Sequence, residues 1–214
     1  MLSKVFYAPF ATSFSNMSFY TKERWSNWLK QVDESNFTIE EDREGLGPEG
    51  IVFLNMEEDV ILALCKLTGM FQKGITSLEE ARNVLDEMEE WIYSDANSMD
   101  SDKDAMFRSV QTALFAAFGG ARKVIEGEAK EGDDIAKLLT EADDFELKGK
   151  DEDAYNKASM AAGAAFCGER FESDALLDRI NGNLVMDWAD GIDTIQTVLE
   201  GGVDLSVEAD DEED

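Results

Sequence analysis

The sequence predicts an all-α fold, a single-domain bundle of about six to eight helices with an acidic surface. Apolar residues recur three and four positions apart along most of the chain, which is the periodicity of amphipathic helices. Several of these stripes begin at residues that are typical helix N-caps. Only residues 51–54 combine β-branched and aromatic side chains in one short run, so the evidence for strands is poor.

The N-terminal part of the chain contains four such stripes. The first includes Trp25 and Trp28 and places both indoles on one helix face. The predicted N-caps of the next three helices are Asn55, Ser77, and Ser101 or Asp102. The second helix is predicted to end at Gly74.

Three further helices are predicted after residue 130. A short helix covers about 135–145, and an alanine-rich helix begins near Asp151, breaks near Gly168 and resumes as far as Ile180. The last helix covers about 184–199. Small residues recur on one face of the fourth helix and of the alanine-rich helix, which predicts that these two helices cross closely at the centre. Gly119 and Gly120 are expected to serve this packing, or a kink, because a glycine inside a helix costs about 1 kcal/mol relative to alanine.

The domain organisation predicted from composition has three parts. Residues 1–16 contain no acidic residue, and the simplest explanation is that Met17 is the true start and that 1–16 is an extension outside the native protein. Residues 17–202 form the helical domain, which is long enough to bury a core. Residues 203–214 contain seven acidic residues and no basic one, which is typical of a disordered tail.

Charge and composition exclude several classes of function. Nineteen basic and 48 acidic residues give a net charge of −29, which repels nucleic-acid phosphates and anionic lipids, so neither is expected as a partner. The chain has no histidine, which excludes catalytic systems and metal sites that need imidazole. Cys65 and Cys167 are isolated in apolar runs and predict buried thiols in a cytoplasmic protein.

Two short motifs resemble ligand sites only in part. Residues 45–50 match GxGxxG, but no apolar strand precedes them, so a flexible loop is predicted rather than a dinucleotide site. Residues 100–104 copy the start of an EF-hand loop, but Ala105 and Gln111 stand where the loop needs glycine and glutamate. We therefore predict no metal site, no cofactor and no catalytic residue.

Four segments together resemble a known family: FYTKERWSNWLKQV, FLNMEEDVILALCK, LEEARNVLDEMEEWI and SVQTALFAAF. They are similar to an archaeal domain of unknown function, number 2150, over about residues 18–199. Its members occur in halophilic and methanogenic archaea. The resemblance implies a cytoplasmic archaeal protein and brings no activity or catalytic residue with it.

The sequence favours a non-enzymatic protein that binds another protein, as an adaptor or regulator. Trp25 and Trp28 are the candidate docking residues for such a partner, although aromatic stripes at helical spacing are more often core. Two alternatives stay open: a carboxylate-dependent enzyme that uses a divalent metal ion, and an acidic mimic of nucleic acid.

Overall fold

The computed structural model describes residues 20–39, 46–94, 99–129 and 131–203. In these ranges it contains eight α-helices and no β-strand, which confirms the prediction of an all-α single domain. The helices are α1 (Lys22–Glu34), α2 (Gly47–Gln72), α3 (Leu78–Ile92), α4 (Ser101–Ile125), α5 (Ile135–Glu146), α6 (Asp151–Phe166), α7 (Ser173–Leu177) and α8 (Asn183–Glu200). None of these helices is long and apolar enough to cross a lipid bilayer.

Some predictions concern residues outside the described ranges. These are the extension at 1–16, the start at Met17, the first glycine of the GxGxxG match and the tail after residue 203. The domain boundaries and the acidic surface likewise stay predictions.

The start of α2 differs most from the prediction. The helix begins at Gly47, not after Asn55, so residues 51–54 are helical and the predicted flexible loop is wrong from Gly47 onward. Gly47 has a positive φ of 63°, which glycine adopts without strain, and Pro48 lies in the first turn, where its missing N–H costs nothing. The first turns are also held by packing, since the buried Phe53 ring meets Phe37 edge-on at 5.0 Å.

Other helix ends follow local capping rules. The Ser77 capping box is confirmed, with both reciprocal hydrogen bonds to Glu80 formed. The N-cap of α4 is Asp100, one residue before the predicted range, and its carboxylate accepts a hydrogen bond of 3.0 Å from the Lys103 amide. The alanine-rich helix ends at Phe166, before the predicted break at Gly168. Between that end and Ile180, where the helix was predicted to resume, the structure has only the short α7.

Helix α4 lies at the centre and packs against α2, α3, α6 and α8. Its crossing with α6 is confirmed: a Cβ on Gly120 would lie 2.7 Å from the backbone carbonyl carbon of Ala162. Successive contacts advance together along both helices: Phe115 with Tyr155, Gly119 with Ser159, and Gly120 with Ala162. The two helices therefore run in the same direction.

The beginning of α8 is fixed by acidic residues of α5. Helix α8 has no side-chain cap of its own. Instead, the Asp143 carboxylate accepts hydrogen bonds from the amides of residues 181 and 182, and Glu146 accepts from those of Leu184 and Val185 at 3.0 and 2.9 Å. These four hydrogen bonds hold the start of α8, which packs against α4 and α6.

Candidate functional site

A groove of about 540 Å³ opens where the end of α3, the middle of α4 and the first turns of α6 and α8 meet. We call it the aromatic groove. Its lining consists of Tyr93, Arg108, Gln111, Thr112, Phe115, Asp151, Glu152, Tyr155, Leu184 and Trp188. The volume falls within the range of pockets that bind small molecules.

Four aromatic rings form a continuous wall of the aromatic groove. Phe115 stacks on Tyr155 with a centroid distance of 4.4 Å and an interplanar angle of 29°. Tyr93 meets Phe115 edge-on at 5.7 Å and 88°, and Tyr155 meets Trp188 at 6.0 Å and 61°. Because neighbouring rings are steeply inclined at two of the three contacts, the wall is not a flat platform.

The wall is exposed at one end and buried at the other. Phe115 is 43% exposed and Tyr93 is 36% exposed, whereas Trp188 is only 3% exposed. The exposed end of the wall therefore keeps part of its apolar surface in contact with water.

Several hydrogen-bond donors of the aromatic groove are already paired within the protein, whereas its hydroxyl, amide and carboxylate oxygens can still accept. The Tyr93 hydroxyl donates to the Gln111 carbonyl oxygen at 3.0 Å, and the Gln111 amide donates to the carbonyl oxygen of residue 92 at 2.7 Å. Thr112 donates to the Arg108 carbonyl oxygen at 2.9 Å. The buried indole N–H of Trp188 is the exception, because it has no partner among the described residues.

Charged side chains lie at the edge of the aromatic groove. Asp151 and Glu152 are exposed in the first turn of α6, where the helix dipole favours negative charge. The Arg108 Nε lies 3.5 Å from an oxygen of Asp104, one turn earlier on α4, so its charge is partly balanced. The two carboxylates therefore dominate the electrostatics of this edge.

A buried carboxyl group lies in a different part of the bundle. Glu57 on α2 is 3% exposed and accepts a hydrogen bond of 3.0 Å from the Thr194 hydroxyl on α8. Burial, with a smaller contribution from the Asp190 carboxylate, raises the pKa of Glu57 to about 8. Across the part of the chain that the structure describes, no three or more histidine, cysteine, aspartate or glutamate side chains are grouped so that they could hold a metal ion.

Comparison with known proteins identifies the family. The model of a family described as "Uncharacterized protein conserved in archaea (DUF2150)" matches residues 18–208. The chain belongs to this family. Searches of curated proteins and of solved structures returned no match.

The tryptophan pair on α1 of this DUF2150 member lies apart from the aromatic groove. Trp25 is 2% exposed and packs against Phe107, with 6.0 Å between the ring centroids. Trp28 is half-buried, and its indole N–H donates to Asp59 at 2.7 Å; Arg24 also binds this carboxylate. Only Trp28 keeps appreciable outward surface, and its role in docking stays a prediction.

Sequence reasoning missed the aromatic groove of this DUF2150 member. Phe115 comes one position after the buried Leu114, so it lies beside the buried face of α4 and not on it. A large aromatic residue off the buried stripe is the signal that was available. Which other rings approach it depends on the packing of α3, α6 and α8.

Proposed function

We propose that this protein is a non-enzymatic interaction protein whose aromatic groove binds a segment of a partner protein that presents a basic side chain beside apolar residues. The main support is the exposed ring of Phe115, which is stacked on Tyr155 in the lining of the aromatic groove. Binding energy in protein interfaces is concentrated in a few residues, and aromatic side chains are enriched among interface residues.

Charge complementarity supports a basic partner. Asp151 and Glu152 lie at the edge of the aromatic groove, and the chain as a whole has a net charge of −29. Such a field attracts cationic segments and raises their association rate, whereas it repels acidic ones. A cytoplasmic location belongs to the same proposal, and the free thiols of Cys65 and Cys167 support it.

Selection from a random peptide library tests this function. Wild-type protein is the bait and the Phe115→Ala variant is the counter-selection. We expect the enriched peptides to contain lysine or arginine next to apolar residues. A selected peptide should bind the variant about tenfold more weakly, because the truncated side chain leaves the interface without its exposed ring.

The matched control is Leu147→Ala. Leu147 is more exposed than Phe115 and does not line the aromatic groove, so its truncation should leave peptide affinity unchanged. Enrichment of acidic peptides would show that the proposed function is wrong. So would peptides that bind Phe115→Ala as tightly as they bind Leu147→Ala and the wild type.

A further inference from the structure

We infer that the basic side chain bound in the aromatic groove is an arginine, whose guanidinium group lies against the exposed rings and binds the carboxylates of Asp151 and Glu152. This inference rests on the proposed function and specifies the chemistry of its partner. It follows from three properties of the groove: the position of its oxygen atoms relative to its rings, the availability of those oxygens and the exposed surface of Phe115.

Side chains that carry oxygen atoms lie one turn before the stacked ring pair on both helices. On α6, Asp151 and Glu152 precede Tyr155 by four and three positions, and side chains at these spacings are neighbours on one helix face, with Cβ atoms about 5–6 Å apart. On α4, Thr112 precedes Phe115 by three positions. Because the two helices run in the same direction and the two rings are stacked, both carboxylates and the Thr112 hydroxyl lie on the same side of the ring pair, and all of them line the groove.

These oxygen atoms are available to donors of a partner. Asp151 and Glu152 are exposed, and neither forms an ion pair with a residue in the described ranges. The Thr112 hydroxyl donates to the Arg108 carbonyl oxygen and can still accept a hydrogen bond. The Arg108 side chain also lines the groove, but its Nε lies 3.5 Å from an oxygen of Asp104. The groove therefore offers several acceptors and unpaired negative charge beside its rings.

An arginine can use the rings and the oxygens at once, whereas a lysine cannot. The guanidinium group is planar, so its face can stack on an aromatic ring while its five N–H donors point outward in the plane, two of them to one carboxylate. A lysine ammonium group is a point charge with three donors and has no flat face. Phe115, which is 43% exposed, and the exposed Leu184 provide apolar surface for the guanidinium face and for the methylene groups behind it.

Three synthetic peptides that differ only at the central side chain test the inference by calorimetric titration of the full chain. The central residue is arginine, lysine or citrulline, which keeps the planar shape of arginine without its charge; leucines flank it in each peptide. We expect the arginine peptide to bind at least about fivefold more tightly than the lysine peptide and at least about tenfold more tightly than the citrulline peptide. N-acetyl-arginine amide, titrated separately, should bind more weakly than the arginine peptide.

The variant Asp151→Asn tests the contact with the carboxylates. It should bind the arginine peptide about fivefold more weakly than the wild type does, because a charged acceptor is lost. The matched control is Asp153→Asn, which makes the same chemical change in the same helical turn. Asp153 lies two positions before Tyr155, so it does not face that ring, and it does not line the groove. Its replacement should change the affinity by less than about twofold.

The variant Phe115→Leu separates stacking on the ring from the contact with the carboxylates. Leucine keeps an apolar side chain at this exposed position, so the melting temperature should stay unchanged. Without the ring, the preference for arginine over lysine should fall to about twofold or less. Leu147→Ala is again the control and should keep the full preference.

The possible outcomes distinguish the inference from the proposed function. Equal affinity for the arginine and lysine peptides, lost in Phe115→Ala, would overturn the inference and leave the proposed function intact. An equal loss of affinity in Asp151→Asn and Asp153→Asn would do the same, because the overall charge of the protein would then explain the attraction. A citrulline peptide that binds as tightly as the arginine peptide, or failure of all three peptides to bind, would overturn both. N-acetyl-arginine amide that binds as tightly as the arginine peptide would overturn the protein source of the guanidinium group, and with it the proposed function.

Discussion

Helices α4 and α6 pack closely at one end of their contact, which we call the closed end, and are separated by larger side chains beside the aromatic groove at the other, which we call the open end. At the closed end, Gly120 lies against Ala162 so tightly that one added carbon would overlap the backbone. Between one and two helical turns earlier, Phe115 and Tyr155 stack their rings instead, and the aromatic groove opens beside them. The size of the side chains at the contact therefore decides whether the same two helices pack closely or leave a groove between their side chains.

We expect the closed end to contribute mainly to the stability of the fold and the open end mainly to binding. Close-packed interiors tolerate little change of volume, so the closed end should determine the stability of the fold. The exposed rings at the open end bury less surface within the protein and should determine binding. The predictions below test this division, beginning with the buried part of the bundle where the largest change in stability is expected.

The largest change in the free energy of unfolding is expected from the ionisation of Glu57. This residue lies where α2 meets the part of α8 that is beyond the aromatic groove. The unfolded chain releases this proton near pH 4.5, whereas the folded chain holds it until about pH 8. The free energy of unfolding should therefore fall as the pH rises from about 5 to about 8 and should not fall further from this cause above pH 8. The gap between the two pKa values corresponds to a loss on the order of 5 kcal/mol.

The variant Glu57→Gln should remove this loss, because its neutral side chain can still accept the Thr194 hydrogen bond. Urea unfolding at a series of pH values should show the variant gaining stability over the wild type as the pH rises. Glu58→Gln is the matched control, since Glu58 is exposed on the same helix. A constant difference between Glu57→Gln and the wild type from pH 5 to pH 9 would contradict the prediction.

The closed end itself is tested by Gly120→Ala. Alanine would normally stabilise a helix interior by about 1 kcal/mol. Here its Cβ would lie 2.7 Å from the Ala162 carbonyl carbon and from the Gly163 nitrogen, and backbone atoms cannot move aside cheaply. We expect a net loss of about 3 kcal/mol in the free energy of unfolding, measured by chemical denaturation.

Gly201→Ala is the control for that experiment. Gly201 has a φ of −64°, and a Cβ there would come no closer than 3.5 Å to any neighbour. Its replacement should therefore be neutral or slightly stabilising. If both substitutions changed stability equally, the special role of the closed end would be refuted.

Sequence reasoning predicted the closed end and missed the open one, for a physical reason. Small residues spaced three and four apart on two helices are a local pattern, and close approach is the direct geometric consequence. The aromatic wall combines one ring each from the end of α3 and from α4, α6 and α8, so no local pattern encodes it. The start of α2 was misplaced because Asn55 resembles a cap, whereas the tertiary contact between Phe37 and Phe53 stabilises two earlier turns.

The smallest effect is expected from Tyr93→Phe at the open end. The substitution removes only the hydroxyl that donates to the Gln111 carbonyl oxygen, and that oxygen lies within α4, where the helix supplies a second donor. The free energy of unfolding should fall by about 1 kcal/mol or less. Because the ring remains against Phe115, affinity for a basic peptide should stay within about twofold of the wild-type value, whereas Tyr93→Ala should weaken it. A loss of stability as large as that of Gly120→Ala would mean that the open end supports the fold as strongly as the closed end does, and the division between the two ends would fail.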